Sequence, residues 1–303
     1  MSLEGDKSVI DAIKEKKRLM DAGEAHDHIR PLLVIGGGFM KVAYSWGACI
    51  ALSKFGYAKC FETIVGVSSG ALAAAYLLSG NIESNRSLVF KEAYSQDFFS
   101  FWRPFNILQT KYLRTFLSNN SHQGLAADKI LDHQPTFLIG LSEFETARPK
   151  LLRPSNDDEL FEGLRATISL AGAVSDPVII NGQRYLDGET TYPYIRESIY
   201  DLENVTHILD FTNQDKNDMA EYSYGEAFLL GTLYRGATNA VVRYAANSRR
   251  ALRKKFLEQA VRAQKIPTCL LWGDETIGSL NAHSKKIETA VARAELYWTK
   301  LLA

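Results

Sequence analysis

Hydrophobic positions along the chain fall into short blocks, several of them closed by a glycine-rich turn. Within residues 8–20, Val9, Ile13 and Leu19 recur among charges, which predicts a short amphipathic helix. Residues 23–30 are a polar linker. Pro31 then opens the apolar run Leu32-Leu33-Val34-Ile35, of strand length, which stops at Gly36-Gly37-Gly38. Residues 42–55 read as a helix ended by Gly56. A second buried strand, residues 61–65, leads directly into Gly66-Val67-Ser68-Ser69-Gly70. Residues 71–78 form a helix of mostly small residues that closes at Ser79-Gly80. Strand, glycine turn, helix, repeated twice, is the rhythm of a parallel α/β sheet. Such a sheet places its sites outside the carboxyl ends of its strands, where both glycine turns fall.

The rest of the pattern extends this plan. Residues 85–117 read as helical and aromatic, and residues 136–141 as a third strand. Asn156, followed by Asp157, Asp158 and Glu159, caps a helix over 160–168 with an acidic first turn that suits the helix dipole. Asn181-Gly182, flanked by β-branched and aromatic residues, predicts a hairpin over 177–187 whose second arm ends at Asp187. Residues 206–211 are a last strand candidate, the pattern from 221 onward is mostly helical, and there is no internal repeat. The expected architecture is a three-layer α/β/α fold with a mainly parallel central sheet and a helical C-terminal region. Its expected divisions are an N-terminal helical and polar extension (1–30), a catalytic domain (31–215) and a helical region packed on that domain (216–303).

Composition narrows the class. With 46% hydrophobic and 23% charged residues, the chain of 303 residues is neither disordered, collagenous nor coiled coil. Its 35 basic residues cancel its 35 acidic ones, which leaves no global field to hold a polyanion and argues against nucleic acid as a partner. Cys49, Cys60 and Cys269 are odd in number and widely spaced, so neither a disulfide framework nor structural zinc is expected. The first thirty residues contain no apolar signal region, and no run is long enough to span a bilayer. A cytoplasmic chain, at most peripheral to membranes, is expected.

Candidate chemistry centres on Gly66-Val67-Ser68-Ser69-Gly70, which fits G-x-S-x-G. In a nucleophile elbow the serine sits on a sharp strand-to-helix turn, strained and exposed, and flanking glycines avoid collisions with the neighbouring strand and helix. The helix that follows offers its N-terminal dipole and N–H groups, including that of Ser69, to an anion. An apolar strand before and an Ala-rich helix after supply the context, so Ser68 is the candidate nucleophile. Gly36, Gly37 and Gly38 bare their backbone N–H groups about thirty residues upstream, as an oxyanion hole requires. A dinucleotide-binding G-x-G-x-x-G fails there, because its third glycine would fall at Lys41.

Three blocks in this order resemble the patatin-like phospholipases, a family of lipid acyl hydrolases. They are Val34 to Gly38 with Lys41, Tyr44 and Gly47; Gly66 to Leu72; and Arg165 to Ser169 through Tyr185-Leu186-Asp187-Gly188. The resemblance covers roughly residues 32–213 and implies a Ser68–Asp187 dyad without histidine, an acyl-enzyme and neither metal nor organic cofactor. It also implies an oxyanion hole at Gly36, Gly37, Gly38 and Ser69, with Lys41, Gly66, Gly70 and Gly188 as motif support. Two positions depart from the family pattern. Phe39 and Met40 lengthen the glycine loop by one residue before Lys41, and Glu189 stands where the family has Gly or Ala. A second carboxylate beside Asp187 is expected to raise its pKa, and a positive φ at Glu189 would be strained.

Other readings stay open on sequence alone. The same dyad could serve an acyltransferase. A Ser68-Asp187-histidine triad could recruit His207 or His283, and a catalytically weak lipid-binding or effector-like protein could keep the fold. Residues 98–105 hold five aromatics, as either core or acyl-channel wall. Residues 243–265 carry eight basic side chains against one acid, a solvated helix face or a contact for anionic membrane.

Overall fold

The computed structural model describes residues 2–86, 91, 95, 97, 98, 100, 108–118, 124–132, 135–146, 148–170, 174, 176–213, 266–273 and 284–303. The basic stretch 243–265, most of the aromatic run 98–105, and His122, His133 and His283 lie outside the described residues.

At the centre run five parallel strands: β9 (Thr268–Trp272), β8 (His207–Phe211), β2 (Pro31–Ile35), β3 (Thr63–Val67) and β4 (Thr136–Glu143), in that spatial order. Antiparallel strands complete the edges. β1 (Ser2–Gly5) pairs with β9, and β5 (Pro149–Leu152) with β4. β6 (Val178–Ile180) and β7 (Gln183–Asp187) form the hairpin expected from Asn181-Gly182, both of which have positive φ.

β4 outruns β3, and that mismatch builds the site. Gly140 pairs with both Val67 and Leu151, while Leu141 pairs with both Lys150 and Asp187. β5 therefore holds one edge of β4, and β3 and β7 follow one another along the other. The last residue of β7, Asp187, is thereby set beside the carboxyl end of β3.

Strand residues alternate between two apolar layers, as period-2 side chains must. Leu33 and Ile35 join the larger core with α1 (Ser8–Ala22), α2 (Ala43–Lys54) and α3 (Ser69–Ser79). The same core takes in α4 (Thr110–Leu117), α5 (Ala127–Leu131), α6 (Asp157–Thr167) and the C-terminal α8 (Ser284–Leu302). Leu32, Val34, Val65 and Val67 pack instead on Ile195 and Ile199 of α7 (Tyr192–Tyr200). The α/β/α layering follows from that alternation.

The start of α6 and the end of α3 follow the capping rules. The Asn156 side chain accepts from Glu159 N–H at 3.0 Å, and Gly80 closes α3 in the left-handed conformation. α2 and α8 cross in close contact at Gly47, where a Cβ would land against the Val291 carbonyl oxygen. Trp298 of α8 meets Phe211 of β8 edge-on, with ring centroids 5.2 Å apart.

Three strands were not foreseen: β1, β5 and β9. β1 lies in the stretch expected to be helical and polar, and β9 in the region expected to be helical, so residues 206–211 are not the last strand. Among the described residues of the C-terminal region, helical character is carried by α8.

Candidate active site

Ser68 stands between the last residue of β3 and the first of α3 with φ 53° and ψ −132°, a conformation that costs a non-glycine residue about 1–3 kcal/mol. Its neighbours show why the chain turns there. A Cβ on Gly66 would strike the backbone of Ala71 in α3, and one on Gly70 would strike the carbonyl oxygen of Ile35 in β2. Both glycines let strand and helix approach within backbone contact, which forces the connection through a single tight residue. Ser68 N–H is fixed by Thr167 Oγ1 at 2.8 Å, and that hydroxyl donates onward to Gly140 O at 2.6 Å.

Asp187 is held on all sides. Its N–H donates to Ser169 O at 3.1 Å, and its carbonyl accepts from Ser142 Oγ at 2.8 Å. Carboxylate Oδ1 accepts from Glu189 N–H at 2.8 Å, and Oδ2 accepts from Ser68 Oγ at 2.9 Å. Burial, then the neighbouring Glu189 carboxylate, push its pKa well above the ordinary aspartate value, against the hydrogen bonds from Glu189 N–H and Ser68. The two groups singled out from motifs 119 residues apart in the chain are thus in direct hydrogen-bond contact.

The glycine loop is less uniform than its sequence. Gly36 N–H donates to Phe211 O at 2.8 Å and extends the β2–β8 ladder, so it is already committed. Gly37 faces the serine: a Cβ there would lie 2.7 Å from Ser68 Cβ and 2.5 Å from Glu189 Oε1. Gly37 N–H donates to that same Glu189 oxygen at 2.9 Å. Gly38 (φ 128°) and Phe39 (φ 53°) absorb the extra loop residue, and Lys41 N–H closes the turn on Gly38 O at 3.1 Å. The strain anticipated at Glu189 falls instead on Phe39, because Glu189 lies in a 3-10 turn (Gly188–Thr191) without positive φ.

Glu189 as a whole is partly exposed, but its carboxyl is enclosed. Enclosure raises its pKa to about 7, against the Gly37 hydrogen bond and the positive charge of Arg196. Arg196 on α7 forms a buried ion pair with Asp210 of β8, to which Tyr200 also donates at 3.4 Å. Ser69 is buried at the first position of α3. A Cβ on Gly188 would strike Gly140 O, which keeps β7 tight against β4.

Three supporting residues were missed by motif reasoning. Thr167 lay inside the Arg165–Ser169 block without an assigned role. Asn213, with φ 55°, takes the Ser45 hydroxyl on Oδ1 and donates to Gly36 O at 2.6 Å, pinning the glycine loop from β8. Ser142, which holds the Asp187 carbonyl, carried no signal at all. His207 sits opposite Pro31 at the amino end of β8, the far edge of the sheet from Ser68, with Thr206 Oγ1 2.9 Å from its Nδ1. Among the described residues no cluster of His, Cys, Asp and Glu has the makings of a metal site. None of the described helices is long and apolar enough to cross a membrane.

A serine on a strained strand-to-helix turn, in contact with a buried aspartate at the carboxyl edge of a parallel sheet, is the arrangement a nucleophile elbow takes in α/β proteins. Residues 33–195, more than half of the chain, match the family model for patatin-like phospholipases, and the chain belongs to that family of lipid acyl hydrolases. Among solved structures it is similar to VipD from Legionella pneumophila, at 12% identity over 91% of this chain and 67% of that one. The TM-score of 0.45 makes that a loose likeness on which no argument rests. No curated protein matches the chain.

Proposed function

We propose that the protein is a serine lipid acyl hydrolase that cleaves carboxylic esters of phospholipids or related acyl lipids through Ser68 and Asp187. The observation that carries this reading is the 2.9 Å hydrogen bond from Ser68 Oγ to Asp187 Oδ2 on a strained elbow. Ser68 Oγ attacks the ester carbonyl carbon while its proton passes to Asp187. The carbonyl oxygen gathers negative charge against N–H groups of the glycine loop, Gly37 foremost, and of Ser69 at the start of α3; one such donor is worth about 2.7–4 kcal/mol. Asp187 returns the proton to the departing alcohol, which leaves an acyl group on Ser68. Water, deprotonated by Asp187, then frees the acid and restores the serine. An alcohol in place of that water would make the same site an acyltransferase.

The test is labelling with an alkyl fluorophosphonate, with the modified peptide identified by mass spectrometry. Ser68 is expected to carry the label, S68A to lose it, and D187N to slow it by several orders of magnitude, as removal of an orienting base does elsewhere. S69A should keep a measurable fraction. Label on Ser69, or full reactivity in a folded D187N, would overturn the dyad.

A further inference from the structure

Gly37 is the loop residue that faces Ser68, and its N–H is already in use. Glu189 Oε1 accepts from it at 2.9 Å, and the space above Gly37 is bounded by that oxygen and by Ser68 Cβ. An ester attacked by Ser68 would need to put its carbonyl oxygen in the place this carboxylate oxygen now fills. We infer that Glu189 is a built-in cap on the oxyanion hole: in the resting protein its carboxylate occupies the Gly37 N–H and must swing aside before Ser68 can react. The inference rests on Ser68 being the nucleophile.

The way Glu189 is held suits a movable group. Its backbone is anchored, because its N–H donates to Asp187 Oδ1 at 2.8 Å. Its side chain is not: among the described residues, Gly37 N–H is the one hydrogen-bond donor to the carboxylate. The Asp187 carboxylate, by contrast, accepts two hydrogen bonds, and the residue is 3% exposed. Glu189 is partly exposed although its carboxyl is enclosed, so an outward rotamer would carry the carboxyl from that enclosure toward solvent. Release breaks one charge-assisted hydrogen bond and gives up the attraction of Arg196, which together set a rate penalty of about tenfold or more. The cap therefore slows the site without disabling it, and a substrate or surface that draws the carboxylate outward would switch it on.

Three variants separate occupation of the hole from the charge that Glu189 places beside Asp187. E189A removes both, E189D keeps the charge on a side chain one methylene too short to reach Gly37, and E189Q removes the charge but keeps an oxygen in reach. The readout is the rate of fluorophosphonate labelling on the alkaline plateau, with Asp187 ionised throughout and folding checked by thermal melting. In labelling, Ser68 Oγ bonds to phosphorus, its proton passes to Asp187 and fluoride leaves, while the phosphoryl oxygen takes the hole. E189A and E189D are expected to label Ser68 about tenfold faster than wild type, and E189Q to stay within about threefold of it. Should E189A fail to fold, the E189D and E189Q pair makes the same distinction. Folded E189A and E189D that label no faster than wild type would overturn the cap and make Glu189 a support of the site. E189Q as fast as E189A, with E189D at the wild-type rate, would overturn it in favour of charge alone. Equal labelling of S68A and wild type would instead remove the nucleophile assignment on which the inference stands.

Discussion

At the level of single residues, the site depends on an aspartate kept reluctant to ionise. In the proposed mechanism Asp187 serves as a base only as a carboxylate, and burial followed by the Glu189 charge raises its pKa. Activity is therefore expected to fall as pH drops through that raised value, while Arg196, which pairs with Asp210, stays charged throughout. E189Q takes one anion away from Asp187 and should carry the acid limb of the pH–rate profile to lower pH. An unmoved limb in E189Q would show that burial alone sets it. Ser68 was legible as a candidate because the spacing of its motif encodes a tight strand-to-helix turn, and Asp187 because its block resembles that of the family. The hydrogen bond from Gly37 to Glu189 was not, because it joins residues 152 positions apart and depends on a rotamer. Sequence could mark Glu189 as unusual but could not say where its carboxylate points. Thr167, Ser142 and Asn213 were invisible for the same reason: a lone hydroxyl or amide acquires its partner only when strands are brought into register.

Among the elements, the contact of α2 with α8 is the least forgiving. Gly47 lets the two backbones touch, and G47A would drive a methyl group into the Val291 carbonyl of α8. The cost is expected to be about 1–3 kcal/mol or more, read as a lower urea midpoint at unchanged m-value. A midpoint equal to wild type would mean that α8 can slide away from α2 freely. Several helices and strands announced themselves through local signals: an Asn cap at 156, a left-handed glycine at 80, an Asn-Gly turn at 181. β1 gave none. Its four residues are Ser2, Leu3, Glu4 and Gly5, and no side chain in it is fully buried, so no alternation marks it. What makes it a strand is the edge of β9, a tertiary cause that local pattern does not contain.

For the molecule as a whole, balanced charge hides an uneven distribution. Net charge is zero, yet residues 243–265 carry a local excess of seven positive charges, eight basic residues less one acid. If that stretch meets anionic lipid, sedimentation with anionic vesicles should weaken as salt rises, since exposed charges are screened within about 8 Å at physiological ionic strength. Replacing Arg249, Arg250, Lys254 and Lys255 by Gln should reduce vesicle binding and leave turnover of a soluble short-chain ester nearly unchanged. Undiminished binding would identify the stretch as a solvated face. The sheet itself carries a different consequence, one of timing. Ser2 pairs with Trp272, and the helix beginning at residue 43 finds its packing partner only at 284–302. A ribosome that has made the elbow, the glycine loop and the hairpin has still not made the strand and helix that close the larger core. Until those emerge, the apolar face of α2 and one edge of β8 stay open, so the nascent chain is most in need of a chaperone when Ser68 and Asp187 have already been made.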